Sequence, residues 1–188
     1  VRLIMAIPSD VDGDGDIDLI SISDNLGVAL HRNLGAGSFA QSVPLVSLVD
    51  NASNVEIADL DGDGLDDLAV TGTGDGMVAV ALGDGTGAFD DGQAINTFGF
   101  VSTHHMTSDL DGDGDLDFVV SGYGGSGGSP PGRGLLLLYP NGPSGLEPPR
   151  FLIRHAQDQK IEAVPVDLNS DGRLDLLTVE ESSPTHRL

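Results

Sequence analysis

The chain has no cysteine and no tryptophan, and it carries only 8 lysines and arginines against 30 aspartates and glutamates. Without cysteine there is neither a disulfide nor a thiolate metal site. Without clustered basic residues the chain cannot track a phosphate backbone, which excludes nucleic acid as a partner. No apolar run approaches the ~18 residues of a transmembrane helix. No stretch of about a dozen residues keeps helical periodicity free of glycine or proline, so no long helix is expected. The chain opens on Val1 with no signal sequence, and a processed or cut N-terminus is expected.

What is present is acid, glycine and apolar residues. The formal net charge is −22, glycine accounts for 27 of the 188 residues, and hydrophobic residues make up 39%. That apolar share is enough for a core, so the charge does not by itself imply disorder. The length suits about one domain.

The charge is concentrated in a repeat. Asp10-Val-Asp12-Gly-Asp14-Gly-Asp16-Ile-Asp18 recurs as Asp59-Leu-Asp61-Gly-Asp63-Gly-Leu65-Asp66-Asp67 and as Asp109-Leu-Asp111-Gly-Asp113-Gly-Asp115-Leu-Asp117. A weaker fourth copy is Asp167-Leu-Asn169-Ser-Asp171-Gly-Arg173-Leu-Asp175, and the four copies hold 18 of the 30 acidic residues. Each copy is followed by a short run rich in Val, Ile and Leu, at 19–22, 68–70, 118–120 and 176–179. Such runs, bounded by Gly, Ser or Asp, predict buried strands. A second apolar run follows the first three copies, at 28–30, 77–82 and 135–139. Then come Gly-rich turns ending on Phe39 and Phe89, and a longer version ending on Phe151. A further apolar stretch, such as 43–49, leads to the strand before the next acidic loop.

Four short strands per ~50 residues is the spacing of a propeller blade. The fold expected is all-β, with propeller blades of four antiparallel strands and about three and a half blades. The repeats run approximately over 1–52, 53–100, 101–158 and, in part, 159–188, within one repeat domain covering 1–188. The third repeat is longer because of the Gly/Ser/Pro insert 123–134 between its second and third strands. Such a segment cannot build a core and is expected to be a surface loop, with Tyr123 and Arg133 as contacts if it serves in recognition.

Four or five carboxylates within nine residues repel one another unless a counter-charge is bound. Oxygens at positions 1, 3 and 5 of a tight loop, a carbonyl at 7 and a closing carboxylate converge on one point. This is the logic of a calcium loop, with a glycine at position 6 for the turn. That glycine is Gly15, Gly64, Gly114 and Gly172. The expected ligands are Asp10, Asp12, Asp14, the carbonyl of Asp16 and Asp18 in loop one, and Asp59, Asp61, Asp63, the carbonyl of Leu65 and Asp67 in loop two. They are Asp109, Asp111, Asp113, the carbonyl of Asp115 and Asp117 in loop three, and Asp167, Asn169, Asp171, the carbonyl of Arg173 and Asp175 in loop four. Up to four Ca²⁺ are expected, with loop four the weakest site. Magnesium demands stricter octahedral geometry and more water, which favours calcium.

The motif Asp-x-Asp-Gly-Asp-Gly-x-x-Asp followed by Leu or Ile, with Arg32-Asn33-Leu34-Gly35-Ala36-Gly37-Ser38-Phe39 downstream, resembles FG-GAP or VCBS-type repeats. Such repeats occur in integrin α-subunit heads and in many bacterial secreted proteins. The resemblance implies a calcium-stapled β-propeller with the metal loop between the first and second strands of each blade. It further implies that the loops between the second and third strands lie on the opposite face, often the ligand side, and that the 123–134 insert is among them. Propellers of this family usually have about seven blades, so the chain is expected to be part of a larger or multi-chain propeller.

Other features carry less. His104 and His105 are neighbours on a strand and so face opposite sides, as expected of packing or channel-lining residues rather than joint metal ligands. His31, His155 and His186 are isolated. Asn51-Ala-Ser53 fits the N-glycosylation pattern. No nucleophile elbow or other catalytic constellation occurs, so an enzyme is not expected.

The function expected is a calcium-stabilised extracellular or cell-surface binding and adhesion module. It would recognise protein or carbohydrate through the loops opposite the calcium loops. The alternatives are a structural subunit of an extracellular ring, sheath or filament, pairing with other copies of itself, and a non-catalytic propeller part of a larger secreted enzyme.

Overall fold

The computed structural model describes residues 2–24, 27–45, 49, 51–72, 77–96, 100–124, 134–142, 146–154 and 159–182. Every regular element among them is a β-strand. By its contacts the chain divides into two compact units, Val1–Thr97 and Phe98–Leu188.

The first unit holds two four-stranded sheets. One is β1 (Leu3–Ser9), β2 (Asp18–Ser23), β3 (Gly27–His31) and β4 (Val43–Pro44). The other is β5 (Ala52–Ala58), β6 (Asp67–Gly72), β7 (Met77–Ala81) and β8 (Gln93–Asn96). The second unit holds β9 (Phe100–Ser108), β10 (Asp117–Gly124), β11 (Gly134–Tyr139) and β12 (Arg150–Arg154). A two-stranded sheet of β13 (Gln159–Val166) and β14 (Asp175–Ser182) completes it. In every sheet the strands lie in chain order and pair antiparallel. These are three four-stranded blades and two strands of a fourth, the architecture expected from the repeat.

The apolar runs after the acidic loops become the second strands, and in the first three blades they are largely buried on both faces. All six residues of β6 are buried, as a continuous rather than alternating apolar run requires. In the first unit Ile20, Ile22, Val28 and Leu30 of the first blade pack with Val55, Leu68, Val70, Ala79 and Ala81 of the second. In the second unit Val119 and Leu136 pack with Ala163, with Met106, Leu138 and Leu176 around them.

The fourth strands are weaker than the sequence alone indicates. From the described residues of the 43–49 stretch, Val43 and Pro44 pair with β3 and the Leu45 N–H donates to the carbonyl of Val28. Pro44 itself has no N–H for a ladder, which suits an edge strand. Phe39 and Phe89 close their Gly-rich turns through single bridges to Asn33 and Gly83. Phe151 instead lies inside β12, opposite Leu137.

His105 is buried with its ring 5.2 Å from that of Phe118, while His104 is exposed. The two adjacent histidines thus face opposite sides of β9. Pairing of Tyr123 with Gly134 brings the ends of the long insert together, at the end of the blade away from Asp117. Residues 125–133 of that insert, with Arg133, lie outside the described residues, as do His155 and His186.

Ile20 and Leu177 occupy the same position, two residues after the closing aspartate, yet Ile20 is 0% exposed and Leu177 is 49% exposed. Ile20→Ala should therefore cost about 2–5 kcal/mol, and Leu177→Ala less than about 1 kcal/mol. Equilibrium denaturant unfolding followed by circular dichroism checks both, and equal costs would contradict the packing described.

Candidate metal-binding loops

Each acidic loop joins the first and second strands of a blade, and its fold is written in hydrogen bonds from backbone N–H groups to its own carboxylates. The first aspartate holds the loop from inside. Asp10 accepts from the N–H of Gly15 at 3.0 Å, Asp59 from Gly62 and Gly64 at 2.8 and 2.9 Å, and Asp109 from Gly112 and Gly114 at 2.7 and 3.2 Å. Asp167 accepts from Asp171 and Gly172. The fifth-position aspartates, Asp14, Asp63, Asp113 and Asp171, each accept the N–H two residues on, at 2.8–3.0 Å. These short Asx-type turns compete with extended structure and so make a tight loop between two strands.

The sixth position needs a left-handed backbone. Gly15, Gly64, Gly114 and Gly172 have φ of 91°, 86°, 99° and 83°, a region that L side chains rarely enter. At the fourth position Gly13, Gly62 and Gly112 also have positive φ, but loop four has Ser170 there, at φ 60°. A non-glycine in that conformation costs of order 1 kcal/mol or more.

The closing aspartate links loop to blade. Asp67 accepts the N–H of Leu60 at 2.7 Å and that of Gly83, just past β7, at 2.8 Å. Asp117 does the same with Leu110 and Asn141, at 3.0 and 2.8 Å. Asp18 takes the N–H of Asn33 at 2.7 Å, and Asp175 that of Leu168 at 3.2 Å. Asp18, Asp67 and Asp117 are fully buried or nearly so.

The acidic side chains converge as the spacing requires. One carboxylate oxygen each from Asp10, Asp12 and Asp18 lies within 4.8 Å of the others. The same holds for Asp59, Asp61 and Asp67, and for Asp109, Asp111 and Asp113. Asp14 and Asp63 stand outside these triads, and in loop four Asn169 replaces an acid, so no acidic triad forms there among the described residues. Asp16, Leu65, Asp115 and Arg173 occupy the seventh position, where only the backbone carbonyl was expected to serve.

Two observations fit these residues to a cation. Asp10 Oδ1 and Asp18 Oδ2 are buried and accept no hydrogen bond among the described residues. Oxygens so placed, beside other carboxylates, are costly without a positive partner. The donor set is all oxygen, which suits a hard divalent ion.

Electrostatics points the same way. Burial pushes the pKa of Asp67 up; the N–H groups of Gly83 and Leu60 pull it back, and the charges of Asp61 and Asp63 raise it again. Loss of water also raises Asp111, followed by the charges of Asp113 and Asp117.

Sequence reasoning missed how loop one meets the second blade. Within the first unit, Arg32 donates to the carbonyl of Thr86 and sits 3.9 Å from Asp12, and the Gly87 N–H donates to the carbonyl of Val11. A Cβ on Gly87 would lie 2.9 Å from the Arg32 guanidinium. Ser9 Oγ donates to Asp66, the additional acid of loop two. The signal was one arginine in a chain with few bases.

Four-stranded antiparallel blades, each with an acidic loop between its first and second strands, define a β-propeller-type repeat protein. Residues 10–70, 59–120 and 109–178 match the family described as FG-GAP-like repeat, and the chain belongs to that family. No curated protein matches the chain. Among solved structures it resembles a lectin of Agrocybe aegerita, described for its specific recognition of non-reducing terminal N-acetylglucosamine. The identity is 25% and the TM-score 0.54, over 79% of this chain and 37% of that one.

Asp67 and Asp61 separate the two roles of the loop. Asp67→Ala strips the partner from two N–H groups and should lower the melting temperature in EDTA and in calcium alike. Asp61→Ala relieves repulsion and should lower it only in calcium. Thermal scans in both conditions check this; equal behaviour of the two variants would contradict the assignment.

The pH dependence follows from the raised pKa of Asp67. A carboxyl whose folded pKa lies above its unfolded value contributes stability that is full below the unfolded pKa and lost as pH rises through the folded one. In EDTA this contribution should disappear as pH rises through the raised folded pKa. A cation offsets the neighbouring negative charges, so its binding should release protons and weaken as pH falls through that pKa. Calorimetric titration in two buffers of different ionisation enthalpy measures both effects.

Proposed function

We propose that the chain is a calcium-stabilised extracellular binding module that recognises carbohydrate through the face opposite its acidic loops. The observation that carries this is the division of labour between the two ends of a blade. One end gathers oxygen ligands, two of them buried without a hydrogen bond. At the other end of the first unit lies a cleft of about 360 Å³ between its two blades. Ser23, Asp24, Asn51 and Ser53 line it with polar groups, and Ile4 and Val49 with apolar ones. Hydroxyl, amide and carboxylate groups beside small apolar surface suit a polyhydroxylated ligand. The likeness to a lectin supports this choice over a protein ligand.

Calcium is the ion that fits a flexible loop offering several carboxylates, because it accepts 6–8 oxygens at varied angles, whereas magnesium keeps more of its water. Four such ions would move the formal charge from −22 to about −14. Extracellular modules bind calcium at about 10⁻⁴ to 10⁻³ M, a level available outside the cell. On this reading the acids hold metal rather than act as general acid and base, and the chain is not an enzyme.

Binding only to the native state, calcium should raise the melting temperature by mass action, by about 2.7 kcal/mol of stability per site at a hundredfold excess over its Kd. A glycan array probed in calcium should show sugar binding, with glycans ending in N-acetylglucosamine as the first set to inspect. Asp24→Ala should abolish that binding without lowering the melting temperature in calcium. A blank array with calcium-loaded, folded protein would overturn the carbohydrate assignment. No change of melting temperature in EDTA would overturn the calcium one.

A further inference from the structure

The two blades of the first unit meet through unlike faces. Ile20 and Ile22, two and four residues after the closing Asp18, lie on one face of the first blade with Val28 and Leu30. They pack with Leu68 and Val70, one and three residues after Asp67, and with Ala79 and Ala81. Side chains alternate along a strand, so the first blade contributes its even-numbered face and the second its odd-numbered one, counting from the closing aspartate. The second unit repeats the rule. Val119, Leu136 and Leu138 are the register equivalents of Ile20, Val28 and Leu30, and they pack with Leu176 and Ala163, which belong to the odd face of the next sheet.

Among the described residues, one face of the first blade and one face of the β13–β14 sheet are exposed. The odd face of the first blade forms an apolar groove lined by Leu3, Ala6, Leu19, Ser21, His31 and Phe39. Leu3 is 61% exposed and Phe39 44%. The polar pair on its wall, Ser21 and His31, is satisfied internally at 2.7 Å. The even face of the β13–β14 sheet carries Val164, Leu177 and Val179, at 55%, 49% and 58% exposure.

We propose that these two faces bind each other between copies of the chain, head to tail. Each open face is one half of an interface that the chain already builds in both units, and a second copy brings the other half. Two like faces do not reproduce that geometry, so the contact is heterologous and can extend beyond two copies. A charge of −22 on every copy opposes the contact, and bound divalent cations reduce that opposition, so association strengthens with calcium and with ionic strength.

Sedimentation velocity of the full chain in calcium, over a range of concentrations, tests the proposal. The weight-average mass should rise with concentration. Leu3→Lys spoils one face and Val179→Lys the other. Both lower the net negative charge, so weaker association cannot come from added long-range repulsion. Each variant alone should associate about tenfold or more weakly while keeping its circular dichroism and its calcium-dependent melting temperature. An equimolar mixture leaves one intact pair of faces, and it should form a species of twice the monomer mass and nothing larger. If either variant fails to fold, Phe39→Ser and Leu177→Lys replace the pair. A wild-type chain that stays monomeric throughout, single variants that associate like wild type, or a mixture that does not pair would overturn the proposal.

Discussion

The closing aspartate of the acidic loop is the group on which the blades depend. In the second, third and fourth loops its carboxylate accepts the N–H of the loop's second residue, and in the first three blades it accepts the N–H that follows the third strand, as Asp67 does with Leu60 and Gly83. It thereby locks the loop, the second strand and the end of the third strand together. The group that does this is a buried anion among other anions. Its hydrogen bonds stabilise the folded blade, and its charge works against that blade. A cation at the loop would offset that charge, and in loop one it would have oxygens that no backbone donor uses. Asp10 Oδ1 and Asp18 Oδ2 are two such oxygens.

This arrangement frees the opposite end of the blade. The strands are antiparallel and consecutive, so loops alternate between two ends, and the acidic end also carries the Gly-rich turns after the third strand. There Asn33 donates to Asp18 and to the carbonyl of Ile17. The end so bound is committed to holding the blade. In the first unit it also bonds one blade to the next, through Arg32, Gly87 and the Ser9–Asp66 contact. Residues at the other end, such as Asp24, have no part in those bonds, and loops of that kind tolerate variation at little cost to stability.

Much of the fold was legible because the repeat encodes itself. Glycine at the sixth position, acids at alternate positions and a Val/Ile/Leu run afterwards each state a local constraint, and four aligned copies state it four times. Strand boundaries were less legible. Phe151 matches Phe39 and Phe89 in composition and context, yet it is drawn into β12 opposite Leu137. The fourth strand of the first blade pairs at Val43 and Pro44, with Leu45 adding one more bond to Val28, and 46–48 lie outside the described residues. The loops also differ in which carboxylates gather: positions 1, 3 and 9 in the first two loops, and positions 1, 3 and 5 in the third.

The sequence alone determined the all-β class, the blade repeat and the four acidic loops, because these are local properties of nine-residue and fifty-residue patterns. Tertiary structure decided which carboxylate oxygens are buried and unsatisfied, which face of each blade is covered, and that Arg32 reaches from its own loop to Thr86. Those depend on the packing of residues far apart in the chain. Ile20 and Leu177 make the difference concrete: the same place in the same motif, one sealed from water and the other half exposed, because burial belongs to the neighbour and not to the residue.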